Sequence, residues 1–176
     1  MSYIPKHSVQ DYLAWEGDWE LWDGVPVSMA PSPDFGHQTA GMELSGEIRS
    51  QLKSQPCDGQ CQVLYEIDWQ IDGHTVVRPD IMVICHKPTG KWVEQAPVLV
   101  VEILSPATRH KDLTAKKELY AKNGVKFYLI VDHETQNFIS LMLDPEGTYR
   151  ERPITDPLEL HRECSISIEP SVIFPN

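Results

Sequence analysis

At 176 residues, 41% of them hydrophobic, the chain has room for one domain with a substantial core and not for two comfortable ones, so residues 1–176 are expected to form a single unit. No run approaches the roughly 18 consecutive apolar residues of a membrane span, and the N-terminal MSYIPKHSVQ lacks the apolar centre of a signal peptide; a cytoplasmic location without a membrane partner is the expectation. The formal net charge of −11 repels nucleic acid at long range, so any nucleic-acid reading needs a local exception.

In chain order, Ser8 to Trp15 reads as a short helix capped by Ser8. Trp19–Trp22 and Val25–Met29 flank Asp23-Gly24, the signature of a hairpin. The proline-rich stretch Ala30 to Phe35 is a predicted loop, and Met42, Leu44, Ile48 and Leu52 recur at helical spacing within a first long helix, His37 to Leu52. Residues 63–71 alternate, which places Val63, Tyr65, Ile67, Trp69 and Ile71 on one face of a half-exposed strand. Val76–Cys85, Val98–Leu104 and Phe127–Val131 are near-continuous apolar runs of strand length, expected to be central strands covered on both faces. Asp112 to Asn123, closed by Gly124, is the predicted second helix, and Phe138–Leu143 adds a strand. Past Pro145-Glu146-Gly147 the chain turns polar, with short apolar pieces at Ile166–Ile168 and Val172–Phe174. Strands and helices in this order predict an α/β or α+β fold with a mixed β-sheet flanked by helices and an N-terminal hairpin.

The four cysteines, Cys57, Cys61, Cys85 and Cys164, are few for the length, and free thiols are the expected state. Cys57 and Cys61 beside His74 and His86 resemble a zinc set only weakly, because the second pair lacks compact spacing.

Within Pro97–Leu104, one carboxylate, Glu102, interrupts an apolar run. Burying an ionised carboxylate costs several kcal/mol unless a cation or donors compensate it, so Glu102 requires a partner. Asp80 follows Pro79 at the mouth of the Ile81–Ile84 run, and two acids on neighbouring central strands invite a hard divalent cation such as Mg²⁺, with the Ile103 carbonyl as a further ligand. In the second helix Leu113, Lys116 and Tyr120 share a stripe, which turns Lys116 toward the sheet and leaves Lys117 nearer its edge; the competing reading is a Lys116 that snorkels to solvent. Arg109, Lys111, Lys116, Lys117, Lys122 and Lys126 share one segment with only two acids, Asp112 and Glu118, a locally positive stretch or simply a solvated helix face.

Pro79-Asp80, Val100–Thr108 with Glu102, Asp112-Leu113, Lys116, Glu118–Tyr120, Gly124-Val125 and Tyr128–Asp132, with Trp19–Gly24 and His37-Gln38 upstream, together resemble the Uma2 (DUF820) family. The resemblance implies the restriction-endonuclease-like fold of the PD-(D/E)xK superfamily and Mg²⁺-dependent hydrolysis of DNA, with Mn²⁺ as a substitute. The superfamily's name places a lysine two residues after the acid, where this chain has Leu104; Uma2-like sequences share that departure, and the resemblance implies that Lys116 is the relocated catalytic lysine. It also adds Glu20 as a candidate site acid and His37 as a candidate phosphate contact, while Asp132 reads as a strand-end hydrogen-bonding residue; Arg109, Lys111 and Lys117 are candidate DNA contacts because they belong to the locally positive segment. A homodimer is expected by analogy, because one small domain needs two active sites to cut both strands. The rival readings are a non-catalytic module that binds nucleic acid or protein, which the acidic balance and Trp15, Trp19 and Trp22 suit, and a purely structural ion-pair network of Asp80, Glu102 and Lys116.

Overall fold

Asp23 and Gly24 adopt φ of +47° and +80°, the left-handed pair that a two-residue hairpin turn requires, and join β1 (Trp19–Trp22) to β2 (Val25–Ser28) as expected. The computed structural model describes residues 5–29, 33–57 and 59–174. Ahead of the hairpin, α1 (Val9–Tyr12) is closed by a reciprocal cap in which the Ser8 hydroxyl accepts from the Asp11 N–H and the Asp11 carboxylate accepts from the Ser8 N–H. Ala30–Ser32 of the predicted loop lie outside the described residues, and its last residue, Phe35, already begins α2 (Phe35–Lys53). There follow β3 (Gln62–Tyr65), β4 (Trp69–Asp72), β5 (Thr75–Val77), β6 (Ile81–Ile84), β7 (Leu99–Ile103), α3 (Arg109–Leu113), α4 (Ala115–Lys122), β8 (Phe127–Asp132), β9 (Asn137–Leu143), β10 (Tyr149–Arg152), β11 (Leu158–His161), β12 (Cys164–Ile166) and α5 (Pro170–Ile173).

The hairpin continues through β5 and β4 into a four-stranded antiparallel sheet ordered β2-β1-β5-β4. A six-stranded sheet, ordered β10-β9-β8-β7-β6-β3, is mixed because β7 and β8 run parallel while all other neighbours are antiparallel. A parallel pair needs a crossover, and α3 with α4 supplies it. On one face Val101, Leu129 and Ile81 pack with Leu44, Ile48 and Leu52 of α2, while Val100, Tyr128 and Met82 face Tyr120 of α4 on the other. Both faces are covered, which is why these strands read as continuous apolar runs.

Two predicted strands each split in two. The 63–71 run breaks at Glu66, whose φ of +46° turns the chain, so that Val63 and Tyr65 join the α2-side core and Ile67, Trp69 and Ile71 the other. The Val76–Cys85 run divides at Arg78-Pro79-Asp80. Because β3 pairs with β6 and β4 with β5, both breaks fall at one level, where the chain pair passes from one sheet to the other and the Glu66 N–H donates to the Asp80 carbonyl. The predicted second helix is likewise two, broken at Thr114 (φ −126°, ψ −88°), whose hydroxyl donates to the His110 carbonyl one turn back and competes with the helical ladder. Met42, assigned to the buried stripe, is 66% exposed, and Gly41 takes its place at the sheet.

The cysteines are not free thiols. The chain folds back after β10 and lays β12 beside α2, giving the disulfides Cys57–Cys164 and Cys61–Cys85. His74 takes no part in this cluster; it lies in the turn between β4 and β5, with its Nδ1 2.9 Å from the His7 carbonyl.

Candidate active site

A cleft of about 420 Å³ opens where the two sheets part, and Glu20, Asp80, Glu102 and Lys116 all line it. Glu102 is the fourth residue of β7 and alternates with Val100, so its side chain points to the α4 side. There its Oε1 accepts from Lys116 Nζ at 2.9 Å and from the Tyr120 hydroxyl at 2.5 Å. Lys116 and Tyr120 are one turn apart on α4, which lets a single helix supply both donors.

Lys116 is 6% exposed and does not snorkel to solvent. Its ammonium lies 2.9 Å from Glu102, 3.5 Å from Glu20 and 3.6 Å from Asp112 carboxylate oxygens. One cation thus faces three buried acids. Burial and, less strongly, the neighbouring acids push the Glu102 carboxyl well above the ordinary glutamate range, against the pull of Lys116 and Tyr120; burial raises Asp112 in the same way. Burial opposes the charge of Lys116, but Glu102, Glu20, Asp112 and Asp80 outweigh it and hold the ammonium protonated. The cluster retains its lysine charge and, without another cation, has affinity for a further proton on its acids.

Asp80 stands at the entry to β6, beside β7, and its Oδ2 accepts from the Ile103 N–H at 2.6 Å. The same oxygen is 3.4 Å from His37 Nε2 in the first turn of α2. Burial lowers the His37 pKa, but Asp80, with smaller contributions from Asp34 and Glu66, offsets this and the net shift is upward. Glu20 comes from β1: its Oε1 accepts from the Arg78 N–H at 2.8 Å and its Oε2 from Trp22 Nε1 at 3.1 Å, so the hairpin is anchored to the break between β5 and β6. Arg78 reinforces that break by bonding Asp68 Oδ1 at 2.7 Å.

The candidate DNA contacts disperse. Lys111 and His37 line the cleft, and Lys111 Nζ donates to the Ser28 carbonyl at 3.2 Å. Arg109 is held by Asp132 at 2.7 Å, with Asp132 also accepting from the Thr135 N–H, the expected strand-end role. Lys117 lies outside the cleft, and Lys126 caps the Glu159 carbonyl. Two further residues of the site carried no assigned role in the sequence reading: Asp112, one turn before Lys116, and Tyr120, one turn after it. Their i and i+4 spacing around a lysine already singled out was the signal.

Asp80 and Glu102 offer hard oxygen donors at neighbouring strands, Ile103 is among the residues that line the cleft, and Asp112 Oδ1 is buried without a hydrogen-bond donor. An anionic excess with an unsatisfied oxygen suits a hard divalent ion, which takes one or two protein carboxylates and completes its shell with water or phosphate.

In sequence, the chain is 30% identical over 136 residues to the uncharacterized protein slr1290 of Synechocystis sp., covering 73% of this chain and 70% of that protein. In structure, it is similar to a crystal structure titled a putative nuclease belonging to DUF820 from Anabaena variabilis, with a TM-score of 0.72 over 95% of this chain and 97% of that one at 19% identity, a likeness of fold. The fold is restriction-endonuclease-like, a mixed sheet flanked by helices. Among the described residues no helix is long and apolar enough to cross a membrane. The family described as "Uma2: Putative restriction endonuclease" matches residues 9–169, and the chain belongs to it.

Proposed function

We propose that the protein is a metal-dependent endonuclease that hydrolyses phosphodiester bonds in DNA, with Asp80, Glu102 and Lys116 as its catalytic residues. The observation that carries this reading is the surplus of buried carboxylates over cations: Glu20, Glu102 and Asp112 surround a single ammonium, with Asp80 beside them. A purely structural ion-pair network has no use for such a surplus, since unpaired buried charge destabilises the fold. Asp80 and Glu102, with the Ile103 carbonyl, would hold Mg²⁺, or Mn²⁺ in its place. When bound, the ion supplies Lewis-acid stabilisation of a phosphoryl oxygen and acidifies a coordinated water.

The chain's own residues do the remaining work. The surrounding acids push the Lys116 pKa upward, so it serves as a positive charge that orients the attacking water and stabilises charge developing on the phosphoryl group. Tyr120 and Lys116 together fix the Glu102 carboxylate through a single oxygen, Oε1. Asp80 is fixed through the Ile103 N–H and His37. Glu20 has both oxygens engaged, and acts by positioning Lys116 rather than as a metal ligand. Lys111 sits where it can meet an adjacent phosphate at the rim.

Incubation of supercoiled plasmid and single-stranded DNA with the protein and Mg²⁺ or Mn²⁺ tests the proposal. Cleavage that depends on the ion and is lost in Asp80→Ala, Glu102→Gln and Lys116→Ala is expected. Cleavage that survives all three substitutions overturns it, and a salt-dependent DNA complex with no cleavage in either metal favours a binding module instead.

A further inference from the structure

The four cysteines lie at the other end of the molecule from the cleft. α2 runs from His37 at the cleft to Lys53 near Cys57, about 24 Å at 1.5 Å per residue, and β6 has Asp80 before its first residue and Cys85 after its last. Cys57, Cys61 and Cys164 are buried at 3%, 5% and 2% exposure, and their sulfur atoms all lie within 4.8 Å of one another. Cys57 and Cys61 belong to different disulfides, so this convergence is more than the pairing of partners. The fourth sulfur, that of Cys85, is bonded to Cys61 and therefore adjoins the same cluster. Three buried sulfurs within 4.8 Å of one another, with a fourth bonded to one of them, supply in number and kind the donors of a structural zinc centre, whose Zn–S distance of about 2.3 Å sets sulfur atoms roughly 3.8 Å apart.

The backbone around the cluster is shaped for convergence independently of the sulfur bonds. Between Cys57 and Cys61 the chain makes a tight knuckle in which the Gln60 and Cys61 N–H groups return to the Cys57 carbonyl at 2.9 and 3.3 Å. Gly59 adopts φ +79° there while nothing lies within 4 Å of its would-be Cβ, so glycine serves the turn's conformation rather than its space. On the other side, Gln55 clamps Ser165 through its N–H at 2.9 Å and its carbonyl, and Gln51 clamps Ser167 through both groups, at 2.8 and 2.7 Å. These side-chain amides hold β12 on α2, and Cys164 with it.

We propose that Cys57, Cys61, Cys85 and Cys164 form a tetrathiolate site for one Zn²⁺ ion, of which the two disulfides are the oxidised, metal-free form. An all-sulfur set selects a soft or borderline cation over Mg²⁺, and buried thiolates amid Leu52 and Ile168 need a cation to exist. Conversion balances as follows. Each disulfide takes two electrons and two protons from a dithiol reductant, which leaves as its own disulfide, and the four thiols release four protons on binding Zn²⁺. The ion would tie the end of α2, the end of β6 and β12 together, closing the C-terminal β11–β12 hairpin over the core.

The probe is Co²⁺, added to the full chain reduced with a dithiol under anaerobic conditions and shown by near-ultraviolet circular dichroism to be folded. Uptake of one equivalent with thiolate-to-cobalt charge transfer and the visible absorption of a tetrahedral centre, bleached by Zn²⁺, is expected. The charge-transfer intensity counts thiolates in the wild type, and Cys85→Ser and Cys164→Ser should each lower it, whereas Asp80→Asn should leave it unchanged. Folded, reduced wild type that shows no charge-transfer band overturns the proposal, as does an intensity untouched by either cysteine substitution. Because the readout is sulfur-specific, it is independent of any cation held by Asp80 and Glu102.

Discussion

Lys116 Nζ donates to Glu102 Oε1 at 2.9 Å inside the protein, with both side chains under 8% exposed, and the two residues come from different layers: the central strand β7 and the crossover helix α4. The crossover that lets β7 and β8 run parallel thereby also delivers the cation to the buried acid. Removing one member of a buried pair costs about 3–5 kcal/mol, because the other is left uncompensated. Lys116→Met should therefore lower the urea midpoint sharply, and the Glu102→Gln/Lys116→Met double variant should recover a large part of the loss. Glu102→Gln alone should be the milder single change, since Lys116 keeps Glu20 and Asp112.

Cation binding at the cleft should release protons. The Glu102 and Asp112 carboxyls lie above their ordinary range in the ion-free protein, chiefly through burial, so a cation that requires the ionised form must displace protons. Apparent Mn²⁺ affinity is expected to rise with pH until those groups are fully ionised and then level off. Titration calorimetry in two buffers of different ionisation enthalpy measures the protons released. The Tyr120 hydroxyl favours the ionised Glu102, so Tyr120→Phe should move the affinity profile toward higher pH; an unmoved profile would show that the hydrogen bond does not tune the carboxylate.

Two glycines on α2 should respond in opposite directions. A Cβ at Gly41 would stand 2.7 Å from the Tyr65 hydroxyl oxygen and 3.2 Å from Ile103 Cδ1, so Gly41→Ala should push α2 away from the strands that carry the site and cost about 1–3 kcal/mol. Gly46, in the same helix, meets nothing within 4 Å, and Gly46→Ala should stabilise by about 0.5–1 kcal/mol. Thermal melts of the two variants check both signs.

The spread of basic residues makes a further distinction. Lys111 lines the cleft and Lys117 does not, so Lys111→Ala should weaken DNA binding and reduce the salt slope by about one phosphate contact, or roughly 0.9 in the log–log plot. Lys117→Ala should leave both nearly unchanged. Fluorescence anisotropy at several salt concentrations separates the two.

Much of this site was readable in advance because its physics is local. Glu102 stood out as a charge in a run of apolar residues, and the helical stripe through Leu113, Lys116 and Tyr120 turned the lysine inward even though Thr114 breaks the helix. Strand interruptions were harder to see: Glu66 in a left-handed conformation leaves no mark on an alternating pattern, because both halves keep their period and only the sheet changes. The cysteine cluster was invisible for a different reason. Cys57 and Cys164 are separated by 107 positions, and only the return of β12 onto α2 brings them together. Arg109 shows the limit of charge counting, since its guanidinium is spent on Asp132.

If Asp80 and Glu102 share one hard divalent ion, an anomalous difference map from crystals soaked in Mn²⁺ will locate it. One peak is expected in the cleft within about 2.2 Å of a carboxylate oxygen from each residue, with Lys116 still at Glu102 Oε1. A cleft without a peak, or carboxylates too far apart to reach a common ion, would contradict it.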